Sequence, residues 1–258
     1  MLTYKNVNRV TVFLLLVFIL LKVIFSISFL WFIIIGIFWL TLTIIGSFHI
    51  RWNYFLKAKH YNYQVSNEVI AITFDDGIHP EFTPKVLKLL KKYNAKATFF
   101  LIGKNLESHP EILKDMIQQG HVIGNHTYSH SNDFGFLKTE EVISELQQTH
   151  TIVEKMVGLK MNLFRPAFGV TNPRINKAVQ TLNLITIGWS IRSLDTTKIS
   201  KGKILRRITK NIKRGDVILL HDTSQNTVEV LEQLLVFLEK RKLKSVSVDQ
   251  LYNLKAYA

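Results

Sequence analysis

The chain of 258 residues has no cysteine. Disulfides and thiolate-held zinc are excluded, so any metal must be held by His, Asp or Glu. Proline is scarce, at five residues, and no Pro-rich linker, repeat or low-complexity segment appears outside one apolar stretch. Acid is also short. Lys and Arg number 33 against 19 Asp and Glu, a formal net charge of +14. Residues 1–60 carry Lys5, Arg9, Lys22, Arg51, Lys57 and Lys59 and no acid at all. Such a surface is either a solvated basic face or one that meets anionic lipid headgroups or cell-wall polymers. No basic run interleaved with aromatics is present, so no nucleic-acid partner is expected.

What the N-terminus does have is a long apolar run, Val10 to Ile50. One membrane span needs ~20 apolar residues, and this run is about twice that. Two spans, near 10–26 and 29–48, fit it, with a turn at Ser26–Ser28. One long tilted helix is the fallback. A cleaved signal peptide does not fit, because the run is too long and has no small-residue cleavage site. Residues 1–60 thus read as a membrane anchor, with the lipid bilayer as partner, and 61–258 as a second domain. Basic residues flank both ends of the run. They lean the second domain toward the cytoplasm without fixing its side of the membrane.

After residue 60 short Val, Ile and Phe-rich runs alternate with amphipathic stretches. Strands are predicted at 69–74, 97–102, 121–124, 162–165, 184–189, 217–220 and 245–248. Helices are predicted at 81–93, 109–119, 139–157, 172–182, 201–213 and 226–241. This alternation predicts βα units, a mainly parallel sheet and an α/β fold closed like a barrel.

Functional groups in such folds gather at the C-terminal ends of strands. There the sequence places Asp75-Asp76-Gly77, the stretch GNHTYSH at 124–130, Arg165 to Gly169, Trp189-Ser190 followed by Asp195, and His221-Asp222. Paired carboxylates at the end of a buried run repel each other and are costly to desolvate. A cation offsets that cost. A spacing of four puts His126 and His130 on one face of a helical turn, where they can share a metal. Two His and a carboxylate make a facial set with open positions. One aspartate can then hold the metal while its neighbour takes a proton from water. His221 suits a general acid, oriented by Asp195, and Arg165 can pair with Asp75. The plain alternatives are an Asp-Gly turn, two surface histidines, a core histidine and a structural ion pair.

In order, TFDDG, HTYSH, RPAFG, WSIRSLDT and VILLHD resemble the motifs of the polysaccharide deacetylase family, the nodulation-type carbohydrate esterases. The likeness covers about residues 66–250. It implies a distorted (β/α) barrel of about seven strands that hydrolyses N-acetyl or O-acetyl groups of an acetylated glycan or glycoconjugate with a divalent metal, most often zinc. It assigns Asp75 as general base and Asp76, His126 and His130 as metal ligands. Arg165 would hold the base, His221 would be the general acid, and Asp195 would support it. Leu219 would line the acetyl pocket, with Phe168 and Pro166 beside the substrate and a backbone N–H near Phe168 on the oxyanion. Three positions depart from the family pattern. RPAFG stands for Arg-Pro-Pro-Tyr-Gly, Thr196 follows Asp195 where relatives often have Trp, and Arg192 stands where many have an acid. Two other readings remain: a deacylase of lipid-linked sugars at the membrane, and a non-catalytic glycan-binding module.

Overall fold

The computed structural model describes residues 2–258. The apolar run forms two helices, α1 (Tyr4–Phe25) and α2 (Leu30–Phe48). Ser26 ends α1 in the left-handed region, φ 52°, and turns the chain back. At 22 and 19 residues the helices match the ~30 Å of a bilayer core at 1.5 Å per residue. Both are long and apolar enough to cross a membrane. Asn8 Oδ1 accepts from Trp39 Nε1 at 2.8 Å and ties them together.

The sheet follows. β1 (Ala58–Lys59), β2 (Val69–Asp75), α3 (Phe82–Lys92), β3 (Ala97–Leu101), α4 (Gly103–Leu106), α5 (Pro110–Gln118) and β4 (Val122–Asn125) form its first half. The second half is α6 (Thr139–Val157), β5 (Leu163–Phe164), α7 (Pro173–Thr181), β6 (Ile185–Ile187) and β7 (Ile191–Arg192). α8 (Lys201–Thr209), β8 (Val217–His221), α9 (Gln225–Lys240), β9 (Lys244–Val246) and α10 (Val248–Tyr252) complete it. The strand order is β1-β6-β5-β4-β3-β2-β8-β7, with β9 beside the start of β2, and every strand pair is parallel. The sheet curls into an open half-barrel, the expected fold. Nine strands appear rather than seven because β1, Ala-Lys, and β7, Ile-Arg, are two-residue strands outside any apolar run.

Alternation along β2 explains the layers. Ile70, Ile72 and Phe74 point outward and pack against Val86, Leu87 and Leu90 of α3 and Leu231 and Leu234 of α9. Phe74 stacks on Phe99 at 5.0 Å between ring centres. Each such buried ring contributes roughly 1.5–3 kcal/mol. Ala71, Thr73 and Asp75 take the opposite face. The barrel interior holds Ala71, Phe100, Leu163, Trp189 and Leu219, with Val248 and Leu251 of α10 joining the same cluster. Because both faces are covered, the strands read as continuous apolar runs.

Register brings chemistry to one level. Asp75 pairs with His221 across β2 and β8, and with Phe100 across β2 and β3. The base of the hairpin docks on this end. Thr171 N–H donates to Ser47 O at 2.9 Å and Tyr4 N–H to Tyr54 O at 2.9 Å.

Candidate active site

Asp75 is buried at the end of β2. Its Oδ1 accepts from Arg165 Nη1 at 2.7 Å. Arg165 is itself fully buried. Its remaining donors go to Thr73 Oγ1 at 2.8 Å, Ile187 O at 3.0 Å and Gly188 O at 2.9 Å. Its guanidinium lies 4.1 Å from the Phe100 ring centre. The fork is thus fixed on every side, and it fixes Asp75 in turn. Asp75 Oδ2 remains outside the ion pair, 3.9 Å from His126 Nε2.

Asp76 turns the other way because its φ is 72°. Its Oδ1 lies 3.4 Å from His126 Nε2 and 3.3 Å from His130 Nε2. That oxygen is buried and has no hydrogen-bond partner. An orphaned buried carboxylate oxygen costs free energy unless something charged meets it. A tetrahedral ion with bonds of about 2.0–2.1 Å sets its ligand atoms about 3.3–3.4 Å apart. The Asp76, His126 and His130 ligand atoms all lie within 4.8 Å of one another, so the three form one cluster fit for a metal ion. Burial pushes the Asp76 carboxyl up, but His126, His221 and His130 outweigh it and bring it down to about 2. His126 Nδ1 faces the Arg165 carbonyl at 2.8 Å. A carbonyl only accepts, so Nδ1 donates there and Nε2 is the ring nitrogen turned to Asp76. Burial and the adjacent His126 lower the His130 pKa, which favours its neutral ring.

The two histidines converge without a helical turn. Residues 126–130 form a loop in which Thr127 and His130 have φ of 69° and 49°. Glu145 Oε2 on α6 accepts from Tyr128 N–H at 3.0 Å and Ser129 N–H at 2.8 Å. Asn125 Oδ1 accepts from Thr127 N–H at 2.9 Å. These side-chain bonds replace the backbone ladder a helix would supply, which the spacing argument could not foresee.

His221 closes the site from β8. Its Nδ1 lies 2.8 Å from Asp195 Oδ1, and its Nε2 lies 4.0 Å from Asp76 Oδ2. Burial lowers its pKa, but the Asp195 hydrogen bond and charge reverse that, so the net shift is upward. Asp195 also accepts from Ser193 Oγ at 2.7 Å, Thr227 Oγ1 at 2.8 Å and His221 N–H at 2.8 Å. Leu219 lies two residues before His221 on the same strand, hence on the same face. Phe168 is 47% exposed and its ring sits 4.4 Å from His130. Pro166 is buried at the start of that loop, its carbonyl accepting from Gly169 N–H at 3.0 Å.

The polysaccharide deacetylase family model matches residues 62–187. A peptidoglycan-N-acetylglucosamine deacetylase of Bacillus cereus is 34% identical over 209 residues, 78% of this chain and 76% of the relative. The chain belongs to the polysaccharide deacetylase family. The Bacillus subtilis peptidoglycan-N-acetylmuramic acid deacetylase PdaA is 33% identical, covering 71% of each chain. The crystal structure of the Bc1960 peptidoglycan N-acetylglucosamine deacetylase with a naphthalenyl N-oxidanyl-benzamide superposes with a TM-score of 0.72. It is 32% identical, over 78% of this chain and 94% of that one.

Thr73 accepts from Arg165, and Ser193 and Thr227 donate to Asp195, and sequence reasoning missed all three. Their partners lie 92, 2 and 32 residues away. Thr73 of TFDDG and Ser193 of WSIRSLDT sat in quoted motifs but were given no part; Thr227 sat in none. Asp222 was quoted beside His221 but given no part. It is fully buried, accepts from Thr83 Oγ1, and burial pushes its carboxyl up to about 7. A Cβ on Gly77 would meet Asp222 Oδ2 at 2.7 Å. The glycine after the aspartate pair is therefore a packing requirement. Gly77→Ala should lower unfolding stability by about 1–3 kcal/mol in denaturant titration, the usual cost of overpacking. An unchanged midpoint would mean Asp222 moves aside freely.

Proposed function

We propose that this carbohydrate deacetylase removes the N-acetyl group from an amino sugar of a peptidoglycan-type glycan, using one divalent metal, most plausibly zinc. The observation that carries the reading is the orphaned Asp76 Oδ1 at tetrahedral edge distance from both imidazoles, with a second aspartate free beside it. Asp76, His126 and His130 would hold the ion. When bound, it supplies Lewis acidity where negative charge develops. Asp75 is the base: Arg165 holds Oδ1, and Oδ2 accepts the proton of the attacking water. His221 is the acid: Asp195 holds Nδ1, so Nε2 carries its proton toward the leaving amine. Leu219 gives the acetyl methyl an apolar wall, and Phe168 flanks the sugar.

The domain would act from the membrane, with α1 and α2 as its anchor and 61–258 as its catalytic part. Most large side chains of the hairpin are exposed; Val23 is 78% exposed. Two such apolar helices need a non-aqueous environment. The docking of the hairpin base beside the site favours a second substrate reading, a sugar whose lipid tail stays in the bilayer.

The test is acetate release by the full chain in detergent, loaded with zinc or cobalt. Peptidoglycan fragments, chitooligosaccharides, acetylated xylan and a lipid-linked N-acetylhexosamine would be compared. Release from the glycans with new free amine is expected. No release from any acetylated amino sugar would favour the glycan-binding module instead.

The raised His221 pKa gives a sign for pH dependence. The acid must be protonated, so activity holds below its pKa and falls as pH rises through it. Asp195→Asn removes the charge that raises it. The alkaline limb of the kcat–pH profile should then move to lower pH, with kcat reduced. A limb that stays in place would remove His221 from the acid role.

A further inference from the structure

A cleft of about 740 Å³ opens where α2 ends, between residues 48–51 and α8. It lies outside the acid–base and metal groups. Arg51, Arg192, Lys203, Arg206, Arg207 and Lys210 line it, and no carboxylate does. Positions 203, 206, 207 and 210 are spaced i, i+3, i+4, i+7, which puts them on one face of α8. Ile204 and Ile208 are the buried residues of α8, and Ile208 also lines the cleft beside the cations. Arg51 and Arg192 come to the same cleft from the hairpin base and from β7. Two guanidiniums are pinned by backbone: Arg51 Nη1 donates to Ser190 O at 3.2 Å and Arg207 Nε to Arg192 O at 2.7 Å. Their other N–H groups stay available. Among the described residues, none of the six pairs with a carboxylate. A merely solvated basic face would be convex or interleaved with acid; six like charges gathered around a concavity repel one another unless an anion joins them.

The position in the fold narrows the anion. Phe48 is the last residue of α2, and Phe48 to Arg51 form one wall of the cleft. A span ending there sets this wall at headgroup depth. Phe48, Trp189 and Ile191 add apolar surface beside the cations, as a phosphate ester on a lipid requires and a free ion does not.

We propose that this cleft binds the phosphate of an anionic phospholipid headgroup and so seats the catalytic domain against the membrane surface. The inference rests on the reading of α1 and α2 as bilayer spans, which carbonate extraction of membranes tests separately. A chain washed off by carbonate sinks the anchor; a chain that stays but ignores lipid charge sinks only the cleft.

The experiment is native mass spectrometry of the full chain in neutral detergent, titrated with phosphatidylglycerol or phosphatidylcholine. Phosphatidylglycerol should bind at least about tenfold tighter, and its retention should weaken with salt. The triple variant Arg192→Gln/Arg206→Gln/Arg207→Gln should lose roughly a hundredfold in that affinity, about fivefold per cation. Lys88→Gln/Lys91→Gln/Lys114→Gln, which removes the same charge from other exposed positions, should bind like the parent. Equal affinity for both lipids, an unaffected cleft variant, or an equal loss in the control variant would overturn the proposal. So would displacement of the lipid by millimolar inorganic phosphate, which would mark a site for soluble phosphate.

Discussion

Asp75→Asn lowers kcat for acetate release by about 10²- to 10⁴-fold, the range that a positioned proton acceptor supplies, while the metal stays bound. The amide keeps the size of the carboxyl group. Its oxygen can still accept from Arg165 Nη1, which in the native chain sits at 2.7 Å. What disappears is the second oxygen's ability to take a proton. The metal cluster does not use Asp75, so elemental analysis of the variant should still find one ion per chain. Arg165 loses a buried counter-charge but retains Thr73, Ile187 and Gly188 as acceptors, so the variant should fold with some loss of stability. Activity within about fivefold of the parent, with metal intact, would show that another group accepts the proton.

Arg165→Met has the largest expected effect on stability. Its guanidinium is fully buried and serves four acceptors at once. Burial pulls its pKa down and the Asp75 charge pulls it back up, so the pair survives in the interior only as a pair. Methionine fills the stem's volume and leaves Asp75 as an uncompensated buried charge. Breaking a buried pair in this way costs about 3–5 kcal/mol. At roughly 2–4 °C per kcal/mol for a domain of this size, the melting temperature should fall by about 6–20 °C. Arg165→Lys should rescue little, since an ammonium cannot reach four acceptors set out for a planar fork. A melt within about 2 °C of the parent would mean Asp75 finds another partner. Double replacement, Asp75→Asn with Arg165→Met, should be less destabilised than Arg165→Met alone, because the stranded charge is gone.

Much of this was legible in the sequence, for identifiable reasons. Most strands after residue 60 showed because they lie in Val, Ile, Leu and Phe-rich runs bounded by turns. β1 and β7, Ala-Lys and Ile-Arg, did not show because neither sits in an apolar run, and both exist through pairing with β6 and β8. Asp75, Asp76, Arg165 and His221 were legible because each closes or follows a strand, where parallel folds expose their chemistry. The predicted strand 245–248 ends early, at Val246, because Ser247 caps α10 and Val248 N–H turns to Thr98 Oγ1 at 3.0 Å. His126 and His130 do cluster with Asp76, but not through the helical turn that their spacing suggested. A loop held by Glu145 and Asn125 does what a helical turn was expected to do. The Thr227 hydroxyl that helps fix Asp195 escaped because a lone Thr carries no signature for an acceptor 32 residues away. Ser193, two residues before Asp195, was quoted without a role. The basic face of α8 was legible as charge; only the fold brings Arg51 and Arg192 to it.

The measurement that bears most directly on the account is X-ray diffraction at the zinc edge from crystals of the full chain grown with zinc. The account predicts one anomalous peak per chain, with Asp76 Oδ1, His126 Nε2 and His130 Nε2 each about 2.0–2.2 Å away and Asp75 outside the coordination. A chain without a peak there, or one whose ion is held by Asp75 or by residues elsewhere, would contradict it.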